Sequence, residues 1–274
     1  MRLYDTHCHF ERAVQTEIAA ILSRAKAAGV EKVMAVGGSP ALNESAALAV
    51  EVAGEALVAP KVVCAIGWDR DQVGKRREDF RLETEDMGPG LRSNVSSLAA
   101  IGEIGLDYHY SPETRERQLE LFAEQLEEAR RRDLPVVIHT REAEDDTLAL
   151  LGEIPSRGII HCYTGSPENA KRFLDIGFYV SISGIVTFRP ADNVRASALV
   201  IPDDRILIET DSPFLAPVPM RGNPNEPAFI VHTCEFIARL RGVSAEDFAE
   251  LTFANAERIL LSGGTGVPPV QDET

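Results

Sequence analysis

The chain reads as a single α/β domain, a parallel (β/α)8 TIM barrel, and three observations predict it. Its 274 residues exceed an ordinary domain but suit a barrel, which runs to ~250 residues as one unit. Eight short apolar runs alternate with longer amphipathic segments, the pattern of strands joined by crossover helices. Side chains that ligate metals recur where apolar runs end, and right-handed crossovers gather all strand C-termini on one face.

The first strand is the run Arg2-Leu3-Tyr4, leading to His7 and His9. A helix follows over 17–28, with Ile18, Ile21, Leu22, Ala25 and Ala28 on one face and Gly29 as its stop. A second strand over 32–36, a helix over 40–53 and a third strand over 62–66 come next. The polar stretch 69–90 reads as a loop with helical pieces. The fourth strand, Leu98-Ala99-Ala100-Ile101, ends toward Glu103, and the helix over 114–132 aligns Leu119, Phe122, Leu126 and Ala129. The fifth strand ends at His139, the sixth at His161, with helices near 147–151 and 167–176 after them. A seventh strand over 178–182, a short helix around 193–199 and an eighth strand over 206–209 lead to Asp211. Two helices near 229–240 and 245–261 complete a barrel of residues 1–261. Gly and Pro density predicts a disordered tail over 262–274.

Asp and Glu number 43 against 28 Lys and Arg, so the formal net charge is −15. Such a surface repels polyanions at long range, which argues against non-specific nucleic-acid or membrane-surface binding. A nucleic-acid substrate held locally by metal ions and a few arginines remains compatible. Four scattered cysteines without a Cys-x-x-Cys pair read as reduced and mostly buried. The start runs directly into the first strand and no apolar stretch nears the ~20 residues of a membrane span, so a cytoplasmic globule is expected. No obligate protein partner is evident.

The candidate metal ligands are His7, His9, Glu103, His139, His161 and Asp211. Imidazoles and carboxylates hold divalent cations while leaving positions open for water. In His7-Cys8-His9 the strand period of two points both imidazoles one way and Cys8 the other, toward packing. The same argument sends Cys162 away from His161.

Here the chain resembles the TatD family of metal-dependent deoxyribonucleases, a branch of the amidohydrolase-like barrels. The resemblance rests on Asp5-Thr6-His7-Cys8-His9, Ile101-Gly102-Glu103-Ile104-Gly105-Leu106-Asp107-Tyr108, His139-Thr140-Arg141, His161-Cys162-Tyr163-Thr164-Gly165, Glu209-Thr210-Asp211-Ser212-Pro213-Phe214-Leu215 and Arg221-Gly222-Asn223-Pro224-Asn225-Glu226-Pro227. It implies two divalent ions (Mg, Mn or Zn), one held by His7, His9 and Asp211 and the other by His139 and His161, with Glu103 bridging. It implies hydrolysis of nucleic-acid phosphodiesters from the 3′ end, with a bridging hydroxide and Asp211 as base. Two such ions clamp the attacking and leaving oxygens of a phosphodiester, and a carboxylate has the two oxygens a bridge needs. The chain departs from the family where a Gly-x-His-Pro motif is usual; it reads Gly67-Trp68-Asp69-Arg70, and 71–94 also looks atypical.

Other residues carry two readings. Arg141 and Arg221 are candidate phosphate-binding residues, against ion pairing of Arg141 with Glu142 or Glu144. Asp107 is expected to orient a ligand imidazole. Tyr108, His109 and Tyr110 read as base-stacking residues or an ordinary packed loop, and Glu209 is left unassigned. Two other functions fit the same residues: hydrolysis of carboxylic esters, lactones or amides, and metal binding without turnover.

Overall fold

The computed structural model describes residues 1–11, 13–74 and 97–261. Eight parallel strands form one sheet in sequence order. They are β1 Leu3–Cys8, β2 Val30–Gly38, β3 Lys61–Trp68, β4 Leu98–Asp107, β5 Val136–Arg141, β6 Gly158–Ile160, β7 Tyr179–Ile182 and β8 Ile206–Ile208. The helices are α1 Gln15–Ala27, α2 Pro40–Glu55, α3 Arg115–Arg132, α4 Glu144–Glu153, α5 Pro167–Asp175, α6 Asp192–Val200, α7 Ile230–Arg241 and α8 Ala245–Leu261. This is the expected barrel. Most of the expected loop at 69–90 and the whole expected tail at 262–274 lie outside the described residues.

Helix starts follow their caps. The Ser39 and Ser166 hydroxyls accept from Leu42 N and Asn169 N, and Pro40 and Pro167 occupy the first turns of α2 and α5. On α3 the buried stripe includes Phe122, Leu126 and Ala129 as expected, but Leu119 is only half-buried and Leu121 takes its place. Two buried glutamines were not foreseen. Gln118 accepts from Asp107 N (2.8 Å) and donates to Asp107 O (3.1 Å). Gln125 does the same for Trp68, at 2.7 and 2.8 Å. Each amide thus engages both backbone groups of the last residue of β4 or β3.

The core has two parts. Outward strand faces pack against α1 to α7. Inside the barrel, Tyr4, Met34, Val63, Ala100, Val137, Ile159, Tyr179 and Leu207 supply one residue from each strand. Phe253, Ala256, Ile259 and Leu260 of α8 join them, so the last helix closes the barrel floor. The mouth is left to polar side chains.

Two strands change face near that mouth. Between Asp5 and Cys8, β1 carries one residue more than β2 (Asp5 pairs with Val33 and Cys8 with Ala35). Between Gly102 and Ile104, β4 carries one more than β5. These bulges turn His7 and Glu103 inward although Leu3 and Ile101, an even number of residues away, face the helices. Glu103 therefore does not sit at a strand end as expected. It is the bulged residue inside β4, which continues through buried Ile104 and Leu106. Gly105 lets β4 run on beside β5: its φ is +133°, and a Cβ there would lie 2.0 Å from the His139 carbonyl oxygen.

The seam between β8 and β1 is closed by other means. One bridge joins Cys8 to Ser212. His9 N donates to Ser212 O (2.7 Å) and Asp211 N to His7 O (2.9 Å). Buried Asp5 accepts from Thr210 N (2.9 Å) and the Thr210 hydroxyl (2.5 Å), and Thr6 Oγ1 donates to Ile208 O (3.0 Å).

Candidate metal centre

All six expected ligands converge at the barrel mouth. His7 lies in β1 and His9 one residue past it, Glu103 on the β4 bulge, His139 in β5, His161 just after β6, and Asp211 in the loop after β8. Asp211 and Cys162 have φ of +55° and +43°, a left-handed conformation rare outside glycine and frequent where a fold orients functional groups.

The donor atoms form two groups. His7 Nε2 is 3.1 Å from His9 Nε2, 3.5 Å from Glu103 Oε2 and 3.8 Å from Asp211 Oδ1. His9 Nε2 is 3.6 Å from both carboxylate oxygens. In the second group Glu103 Oε1, His139 Nδ1 and His161 Nε2 are each 3.3 Å from the other two. An ion with ~2.1 Å bonds and tetrahedral geometry separates its ligands by ~3.4 Å. The donor set and its spacing therefore fit divalent cations, one per group, and Glu103 contributes one oxygen to each.

The far side of each ring decides which nitrogen is free. His9 Nδ1–H donates to Val36 O (2.9 Å), leaving Nε2 its lone pair. His139 Nε2–H donates to Asp107 Oδ2 (2.9 Å), leaving Nδ1 free, the imidazole-orienting role expected of Asp107. His161 Nδ1 is 3.4 Å from Glu209 Oε1, and its ring stacks on His7 at 3.9 Å. Two Nε2 atoms facing each other at 3.1 Å, in His7 and His9, call for a cation or a proton between them.

Electrostatics agree. Burial opposes the charge of Glu103, but His161, His7 and His139 outweigh it and hold the carboxyl well below its ordinary range. Asp211 is likewise lowered against burial by His9 and His7. His161 rises well above an ordinary histidine because Glu103 and Glu209 outweigh burial, and His9 rises through Asp211 and Glu103. His7 falls, from burial and the neighbouring His161.

Glu209 is the residue the sequence reading left unassigned. It is fully buried, accepts from Cys162 N (2.7 Å) and backs His161, while its Oε2 has no hydrogen-bond partner among the described residues. Its place in the sequence two residues before Asp211, directly after the apolar run Ile206-Leu207-Ile208, was the available signal. Cys8 packs outward as expected, its thiol 3.5 Å from Met34 O.

The candidate phosphate-binding arginines lie apart. Arg141 ends β5 two residues past His139, its guanidinium carbon 4.7 Å from the Tyr110 ring centre. It does not pair with Glu142, which receives His109 Nδ1–H instead (2.7 Å). Arg221, in the exposed loop after β8, stacks on Phe188 at 3.9 Å. Arg70 was not foreseen: it reaches from the turn after β3 to within 3.3 Å of Asp107 Oδ2.

Imidazole and carboxylate donors gathered at the C-terminal mouth of a (β/α)8 barrel form a candidate metal centre on the face where such barrels carry their chemistry. Sequence comparison makes this specific: a profile described as TatD related DNase matches residues 4–261, and the chain belongs to that family. The metal-dependent hydrolase YcfH of Escherichia coli K12 is 38% identical over 267 residues, covering 94% of this chain and 96% of that one. YabD of Bacillus subtilis, another metal-dependent hydrolase, is 36% identical over 263 residues, covering 94% and 98%. The crystal structure of YjjV, a TatD homologue from E. coli K12, superposes with a TM-score of 0.80 at 28% identity, covering 95% and 98%. No described helix is long and apolar enough to cross a membrane.

Proposed function

We propose that this protein is a metal-dependent deoxyribonuclease that removes nucleotides from strand ends, in the 3′ to 5′ direction that its family resemblance implies. The observation that carries this reading is Glu103, whose two oxygens each join a separate donor group. Two bound divalent cations would lower the pKa of a water and polarise the phosphoryl oxygens.

The remaining roles fall to the chain. His7, His9 and Asp211 would hold one ion and His139 and His161 a second, with Glu103 offering an oxygen to each. Asp211 accepts the proton of the attacking water, its carboxyl being already held in the ionised form at neutral pH. Asp107, Val36 O and Glu209 keep the imidazoles in the tautomers this requires. Arg141 and Arg221 provide local positive charge for phosphates on a chain of net charge −15. So small a cationic footprint suits a strand end or short single strand better than the middle of a duplex.

The test uses metal-replete protein with end-labelled, end-blocked and circular single-stranded DNA, and a panel of carboxylic esters and lactones. Terminal product ladders on the linear strand, absent with the blocked 3′ end and the circle, are expected. Rapid cutting of the circle, or turnover of the ester panel alone, overturns the reading.

A further inference from the structure

Arg70 and Arg141 approach one aromatic ring from different elements. Their guanidinium carbons lie 5.6 and 4.7 Å from the centre of Tyr110, which is exposed at the barrel mouth. Arg70 belongs to the turn after β3 and Arg141 to the end of β5, so one ring draws a cation from each of two elements.

Among the described residues neither charge is compensated in full. There the anion nearest Arg70 is Asp107, but that carboxylate is already engaged: Oδ1 accepts from His109 N and Tyr110 N, both at 2.9 Å, and Oδ2 from His139 Nε2. Arg70 Nη1 only shares Oδ2, at 3.3 Å, and its Nε is buried without a hydrogen-bond partner among the described residues. Asp71 stands 3.9 Å from that Nε. The 3.2 Å approach of Nη1 to His139 Nε2 sets two N–H groups against each other, since that nitrogen donates to Asp107. Arg141, half-buried, has no carboxylate partner among the described residues. Two guanidiniums whose remaining N–H donors have no acceptor among the described residues offer a fork for a tetrahedral oxyanion.

The fork adjoins the second donor group on its side toward the mouth. Arg70 is next to His139, a donor of the second group. Arg141 follows His139 by two residues on the same strand face, ~6.6 Å further toward the mouth. A phosphoryl group at the metals therefore leaves the fork to the neighbouring phosphate of the same ligand.

We propose that Arg70 and Arg141, aligned by Tyr110, form a second phosphate subsite, and that the enzyme acts on substrates carrying a further phosphoryl group one nucleotide from the one at the metals. This rests on the phosphodiesterase reading for its reaction but not for its binding test. The probes are a nucleoside 3′,5′-bisphosphate and the two matching monophosphates, titrated by calorimetry into the metal-replete full chain. The bisphosphate should bind at least ~10-fold tighter than either monophosphate, as expected for charge-assisted hydrogen bonds. Within R141Q, and within R70Q, the bisphosphate should bind no more than ~3-fold tighter than the tighter monophosphate.

Metal content measured on each variant separates a lost subsite from a disturbed His139. Should R70Q lose metal, R141Q, which touches no metal donor, carries the test. Equal affinities for the bisphosphate and a monophosphate in the wild type overturn the proposal, as does a gain that survives in the R70Q/R141Q double variant. Absence of DNA cleavage would instead count against the phosphodiesterase reading, because the affinity gain is read without turnover.

Discussion

At the scale of the residue, function depends on which nitrogen each imidazole leaves unprotonated. In the metal-free protein His9 and His161 hold a proton more firmly than an ordinary histidine. A cation entering either group must displace it, so affinity falls as pH falls and binding releases protons. Calorimetry of metal binding at pH 7, in buffers of differing ionisation enthalpy, should show at least one proton released per chain; a heat independent of buffer contradicts this. Asp211→Asn keeps the size and one oxygen but loses the basic one. It should fold and retain at least one metal, with turnover reduced ~100-fold or more, as for loss of a positioned base. A near wild-type rate would show that Asp211 is not the base.

At the scale of the element, ligand placement relies on features that alternation does not reveal. His139 and His161 were legible because β5 and β6 keep strict period two from Val137 and Ile159 to the ligand. Glu103 was legible as a member of the donor cluster but not as a bulge: no run of apolar and polar letters marks an extra residue, only the register against β5 does. Arg70 was illegible as a site residue because β3 carries no ligand to draw attention to the turn beyond it. Gln118 was invisible for another reason, since a glutamine among charged neighbours on α3 looks solvated. Gln118→Leu strands Asp107 N and O, at about 1–3 kcal/mol for each buried group left unpaired. The melting temperature should fall by several degrees, and an unchanged value would mean that water replaces the amide.

The seam offers a second element-scale test. Burial pushes the Asp5 carboxyl up to about 7, with the Thr210 hydrogen bonds opposing the rise. The folded chain then binds this proton more tightly than the unfolded chain does. The resulting stabilisation is complete below the unfolded value near 4 and is lost as pH rises through about 7. Asp5→Asn removes that dependence. Its melting temperature relative to wild type should climb between pH 5 and pH 8, and a flat difference would mean that Asp5 ionises normally in the fold.

At the scale of the whole molecule, the fold was the most legible layer, because eight apolar runs and their spacing admit few topologies besides the barrel. The role of α8 as the barrel floor was not legible: its apolar stripe is like that of any outer helix. Five strands or strand ends contribute donors, so bound metal ties the barrel together. Removal by exhaustive chelation should abolish turnover and lower the melting temperature, since a ligand at 100 times its Kd stabilises by about 2.7 kcal/mol. Glu103→Ala should lower occupancy in both groups; two metals per chain in that variant would contradict its bridging place.

The seam also sets an order of events during synthesis. The first cation position takes His7 and His9 from the opening strand and Asp211 from the loop after β8. No nascent chain that stops short of Asp211 can assemble it. A product truncated before Asp211 therefore leaves this donor group incomplete, whatever the state of the group formed by Glu103, His139 and His161. The distance in sequence between His7 and Asp211 works as a timer.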